Sequence, residues 1–124
     1  MHILVVEDDV MVQRVCQGML RLLDHSSTAV SNAIDAVESL TATPQEFDLV
    51  ILDNGLPGLS GMELFAILRE WNISIPVILI SGIRPQLGAD GQIEDLSHFQ
   101  FLAKPFTIAD LQSALDAAAA GRSG

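Results

Sequence analysis

The sequence has no tyrosine, one cysteine and one tryptophan, and only 5% of its 124 residues are aromatic. A core built from it must therefore be aliphatic. A single cysteine excludes an internal disulfide. Cys16 lies in a helical apolar pattern and reads as a small core residue, and a reducing, cytoplasmic setting is the simplest context. Positive charge is also scarce: six lysines and arginines stand against sixteen acids, for a net charge of -10. Such a chain is poorly suited to contact nucleic acid, because neutralising phosphates needs Lys and Arg. It suits a partner with a basic patch, or a metal cation. There is no run of roughly 18 apolar residues, so no membrane span is expected. The N-terminus lacks the charged and then apolar regions of a signal peptide.

What the sequence does have is 49% hydrophobic residues, cut into short runs. Its length suits one domain, expected over residues 1–120, with 121–124 as a frayed tail or linker. His2 to Val6 reads as a first strand, ending in the acids Glu7-Asp8-Asp9. Asp8 or Asp9 can cap a helix reaching about Leu23, in which Met11, Val12, Val15, Cys16, Met19 and Leu20 recur at helical spacing. Ser27 to Val30 is a short, partly polar stretch, suited to an edge strand. Ser31 or Asn32 then caps a helix to about Thr41, with Ala33, Ile34, Val37 and Leu40 inward, and Thr43-Pro44 stops it.

Leu49-Val50-Ile51-Leu52 is apolar throughout, as in a strand buried on both faces of a parallel sheet, and ends abruptly in Asp53. Asn54-Gly55 and Pro57-Gly58 are turn chemistry. Ser60 and Glu63 form a capping-box pattern for a helix over 61–71. Ile75 to Ile80 reads as strand four and Phe99 to Leu102 as strand five; Thr107 and Asp110 open a last helix to about Ala119. Between these, residues 83–98 carry Pro85, Gly88 and Gly91, which oppose a long helix. A short helix over 92–96 or a loop is expected there, with elevated mobility over 84–92. Strand-helix alternation with short connections predicts an α/β fold, a doubly wound five-stranded parallel sheet with helices on both faces.

In such a sheet the strand ends share one edge, where ligands bind. Strand one brings Glu7 and Asp8, strand three Asp53, strand four Ser81, and strand five Lys104, the chain's only lysine. Taken singly, each has a plain reading as cap, turn or surface residue. Together, three carboxylates repel one another unless a cation offsets them. A hard divalent ion and the Lys104 ammonium can both do so, and oxygen-only ligands in low number favour Mg²⁺.

Glu7-Asp8 after a strand, Asp53 followed by Leu56-Pro57-Gly58 and Gly61, Ser81 after strand four, and Phe101-Leu102-Ala103-Lys104-Pro105-Phe106 resemble the receiver domains of bacterial two-component response regulators, chemotaxis regulators among them. The likeness runs from His2 to about Ala119. It implies a flavodoxin-like strand order of 2-1-3-4-5. It also implies Asp53 as phosphoacceptor for a phosphohistidine on a sensor histidine kinase or a histidine phosphotransfer domain. Mg²⁺ would be held by Asp8, by Glu7 through water, by Asp53 and by the backbone carbonyl of Gly55. Lys104 and Ser81 would contact the phosphoryl group, and Phe101 would either repack as a switch or serve as plain core. Phosphorylation would control an unidentified effector and admits a linked homodimer; the domain would not turn over an external substrate.

Asn54 stands where the family usually has a hydrophobic residue, Ser97-His98 where Gly-Ala is common, and the fourth helix is irregular. The competing readings are a pseudo-receiver that binds protein without phosphorylation, an aspartyl phosphatase and a flavodoxin-like carrier. The intact acids, hydroxyl and lysine argue against the first. Phosphatases of that kind carry the nucleophile on the first strand, and the carrier's Ser/Thr-rich phosphate loop is missing after strand one.

Overall fold

The computed structural model of the chain describes residues 1–43, 46–82 and 99–120. Among the described residues, five strands and four helices follow one another as β1 (His2–Val6), α1 (Val10–Leu22), β2 (Ser26–Val30), α2 (Ala33–Ala42), β3 (Leu49–Asp53), α3 (Gly61–Glu70), β4 (Val77–Ser81), β5 (Phe99–Ala103) and α4 (Ile108–Ala120). The strands form one parallel sheet in the order β2-β1-β3-β4-β5, with β2 at an edge as its polarity predicts. The irregular fourth helix and the mobility expected over 84–92 lie outside the described residues, as does the tail 121–124.

The unbroken apolar strands are explained by alternation. Leu4, Val6, Val50, Leu52, Val77 and Leu79 pack under α2 and α3 with Ala36, Leu40, Leu64, Phe65 and Leu68. Their neighbours Ile3, Val5, Leu49, Ile51, Ile78 and Ile80 pack on the other face with Cys16 and Leu20 of α1 and Leu111 and Leu115 of α4. Side chains alternate along a strand, so a sheet covered on both faces needs apolar residues at every position.

Caps set where each helix begins. Asp9 accepts from the Met11 and Val12 N–H groups at 2.9 and 3.4 Å, and Asn32 accepts from Asp35 at 2.8 Å. Ser60 and Glu63 complete the reciprocal box at 3.1 Å each way. Thr107 and Asp110 make the same exchange ahead of α4. α1 and α3 both end in a turn whose left-handed residue is not glycine: Asp24 (φ 66°) and Asn72 (φ 60°). There His25 N–H reaches Leu20 O and Ile73 N–H reaches Leu68 O, the six-to-one bond that closes a helix end.

Three sequence expectations differ in detail. Ile75-Pro76 precedes β4 rather than joining it: Pro76 has no N–H, although its carbonyl accepts from Val50 N–H at 2.9 Å. Ser81 belongs to the strand because it pairs with Ala103. Ile34 is 77% exposed, and Ala36 takes the inward position with Leu40.

Candidate functional site

The carboxyl edge of the sheet carries three buried polar side chains, Glu7, Asp53 and Ser81. β1 delivers Glu7 directly after Val6, and β3 delivers Asp53 as its last residue, since Val6 pairs with Leu52. Carboxylate oxygens of Glu7, Asp8 and Asp53 lie within 4.8 Å of one another, the first and last buried and Asp8 exposed. Lys104 follows β5 and enters from 51 residues away. Its Nζ donates to Asp53 Oδ1 at 3.1 Å and stands 3.7 Å from Glu7 Oε1. The Lys104–Pro105 peptide is cis. Lys104 N–H also donates to Ser81 O at 3.0 Å, which ties the ends of β4 and β5 together.

Burial and crowding separate the two buried acids. Loss of solvent, and then the hydrogen bond and charge of Asp53, push Glu7 up to about 8 against the opposing pull of Lys104. Burial also works against ionised Asp53. Hydrogen bonds with Glu7, Lys104 and the Gly55 backbone, with the Lys104 charge, outweigh it and hold that carboxyl below its ordinary value. For Lys104 burial likewise opposes the charge, and Asp53 and then Glu7 override it and raise the ammonium. With no cation bound, these shifts favour the proton on Glu7 rather than on Asp53.

Among the described residues, Glu7 Oε2 is buried and has no hydrogen-bond partner. An orphaned carboxylate oxygen in a three-acid, oxygen-only cluster is a place for a proton or a hard cation, so the residues fit Mg²⁺.

Seven residues were expected here. Glu7, Asp8, Asp53 and Lys104 converge. Gly55 reaches Asp53 through a backbone hydrogen bond, and Ser81 is buried at the same edge, one position beyond Ile80, which pairs with Asp53. Phe101 pairs with Leu79 and packs, partly buried, against the cluster under α2 and α3.

Two contributors escaped the sequence reading. Asn54 Oδ1 accepts from Met62 N–H at 3.1 Å, so the unusual residue after Asp53 helps cap α3. An Asn in a turn before a helix is a usable signal for such a bond. Gln13, on α1, donates to the Glu7 carbonyl at 2.6 Å. Nothing in its spacing marks it.

Beside the site, Met11, Val12, Val15, Met19, Lys104, Pro105 and Phe106 line an apolar groove between α1 and the β5–α4 connection. Met11 is 66% and Val15 54% exposed, so the apolar surface of α1 is wider than the stripe it buries. Cys16 lies beneath; burial and then the charge of Glu7 push its thiol up to about 11, which leaves it unreactive.

The profile of the response regulator receiver domain matches residues 3–116. The uncharacterised transcriptional regulatory protein YkoG of Bacillus subtilis is 34% identical over 117 residues, covering 94% of this chain and 50% of its own length. The chain thus spans about half the length of that relative. Among solved structures, the receiver domain of sensor histidine kinase PA1611 from Pseudomonas aeruginosa, which has a magnesium ion coordinated in its active site cleft, is 34% identical. It covers 93% of each chain with a TM-score of 0.73. A receiver domain protein from Clostridium thermocellum, 23% identical, shares the fold with a TM-score of 0.79 over 98% of this chain and 95% of its own.

Proposed function

This chain belongs to the response regulator receiver domains, the signalling modules of two-component systems, and on that premise we propose that it takes a phosphoryl group from a phosphohistidine onto Asp53. The observation that carries the reading is the Lys104 ammonium 3.1 Å from an Asp53 carboxylate that shares its site with Glu7 and Asp8. The receiver unit spans residues 1–120 and works in the cytoplasm.

Asp53 stays ionised and is the nucleophile. One of its oxygens bonds to phosphorus as the phosphorus–nitrogen bond to the donor imidazole breaks, and the imidazole takes up a proton as it leaves. Asp8, Asp53 and the Gly55 carbonyl would hold Mg²⁺, with Glu7 supporting the ion through water. When bound, the ion neutralises charge on the transferring group, which is most of what phosphoryl transfer asks of a protein. Lys104 holds Asp53 in the unmodified domain and turns its ammonium to a phosphoryl oxygen afterwards. Ser81 Oγ donates to another phosphoryl oxygen and draws the end of β4 inward. Phe101, on the neighbouring strand, repacks in response, so one local charge event biases two packings.

The donor is a sensor histidine kinase or a histidine phosphotransfer domain. The apolar groove of α1 adjoins Lys104 and offers such a protein a place to dock. The output lies in an effector unit or partner, and a phosphorylation-linked homodimer is one form it can take.

Mass spectrometry tests the reading. With Mg²⁺ and a small phosphodonor, the domain should gain one phosphoryl group and Asp53→Asn none. Lys104→Ala should stay folded and react about 100-fold more slowly. An unmodified parent would return the domain to a phosphorylation-independent binding role, and a labelled Asp53→Asn would move the acceptor elsewhere.

A further inference from the structure

Asp8 is the exposed member of the acid cluster, whereas buried Asp53 is held by Lys104 at 3.1 Å. The geometry of Asp8 is set by the backbone on either side, and both sides lead to Gln13. The Gln13 side-chain amide donates to Glu7 O at 2.6 Å, and the Gln13 backbone N–H donates to Asp9 O at 2.9 Å. One residue therefore grips the carbonyls before and after Asp8. The same amide reaches Val30 O at 3.2 Å and Ser31 Oγ at 3.3 Å, at the end of β2. Val30 O in turn accepts from Glu7 N–H at 3.0 Å, so both backbone groups of Glu7 are fixed. Gln13 is half-buried, which keeps solvent from competing freely for these bonds.

We infer that Gln13 is a positioning residue for the Glu7–Asp8 acid pair, holding the β1–α1 loop in the conformation that can bind the divalent cation. The inference rests on the cation site proposed above. The backbone bond to Asp9 is ordinary helix geometry and survives any substitution. What Gln13 alone adds is the amide clamp from Glu7 to the end of β2. Loops that orient metal ligands act at one remove, and losing such support typically weakens metal binding about 10–100-fold. The clamp needs donors. Arg supplies them at longer reach, Ala supplies none, and Glu is the same size but turns lone pairs toward two carbonyls.

The test is a Mg²⁺ titration of the whole chain, followed by amide NMR shifts of Asp8, Asp53 and Gly55, with melting temperatures in chelator measured alongside. Gln13→Ala and Gln13→Glu should each weaken Mg²⁺ binding about tenfold, while the metal-free melting temperature falls only a few degrees. Gln13→Arg should recover most of the affinity. Parent-like affinity in Gln13→Ala would overturn the proposal, and so would Arg and Ala variants weakened alike. Should Gln13→Ala fail to fold, the isosteric Gln13→Glu decides on the same terms. Asp8→Asn separates the two readings. If the parent does not bind Mg²⁺, or Asp8→Asn binds it unchanged, the cation site itself is wrong and both fall. If Asp8→Asn abolishes binding and Gln13→Ala leaves it intact, only the role of Gln13 falls.

Discussion

Glu7 is a carboxyl group only 4% exposed to solvent, set against a second carboxyl that is ionised. Its pKa in the folded chain is about 8 against an ordinary 4.5, so between those values the folded state holds a proton that the unfolded state has lost. Stability without metal must therefore fall as pH rises across that window and level off above it. Asp53 has the opposite sign: its lowered pKa adds stability above its ordinary value of 3.8, lost on further acidification. The metal-free domain should thus be most stable near the low end of the Glu7 window. Denaturation in chelator should show a loss on the order of 2–4 kcal/mol between pH 5 and 8. Glu7→Gln should flatten that slope. A Glu7→Gln variant with the same pH profile as the parent would mean that Glu7 is ionised throughout. The existence of this acid pair was legible from residue types at strand ends. Which acid keeps the proton was not, because that depends on depth and on which neighbour Lys104 approaches more closely.

At the scale of elements, the β3–α3 connection is tightly constrained. A Cβ at Gly61 would stand 2.8 Å from the Asp53 carbonyl oxygen, 2.8 Å from Leu79 Cδ1 and 3.0 Å from the Asn54 Cα. Two of these neighbours are backbone, so the start of α3 is pressed against the peptide that carries Asp53. Gly58, at φ 78°, supplies the left-handed residue of the same turn. Gly61→Ala should cost about 1–3 kcal/mol, as overpacking does, and should displace Asp53 from Lys104. Urea denaturation and the phosphorylation rate would both report it; a loss under about 0.5 kcal/mol would show that the turn relaxes at little cost. The Ser60–Glu63 box was readable in sequence because both partners are local and three residues apart. The Asn54 cap spans eight residues and a turn of unknown shape, so sequence offered only a residue type at an unusual place. On α1 the periodicity identified the helix and overstated its buried face, since Met11 and Val15 are exposed beside the site.

At the scale of the whole molecule, the net charge of -10 is spread over a small surface. Self-repulsion of that size opposes compaction and is screened by salt within about 10 Å at 0.1 M. The exposed acids carry most of it, while Lys104 offsets only the cluster at the sheet edge. Melting temperature should rise by a few degrees between about 0.02 and 0.5 M NaCl at pH 8 in chelator. A flat or falling profile would indicate that the acids are already paired. The same field favours any protein partner with a basic docking face and makes such association slower as salt is added. Among the described residues no helix is long and apolar enough to cross a membrane.

The sequence by itself determined the layered architecture and which polar residues reach the carboxyl edge of the sheet. Short apolar runs uninterrupted by polar positions and bounded by turn residues read as strands covered on both faces, and parallel strands bring their last residues to one edge. The order of the strands therefore brings Glu7, Asp8, Asp53, Ser81 and Lys104 into company. Tertiary structure decided the rest: a lysine 3.1 Å from one carboxylate and 3.7 Å from another, a glutamine reaching across to two strand ends, and a glycine with no room for a methyl group. These are relations between segments far apart in the chain. Local propensity and periodicity act within a few residues, so they fix which residues arrive at the edge, and packing fixes how far apart they stand.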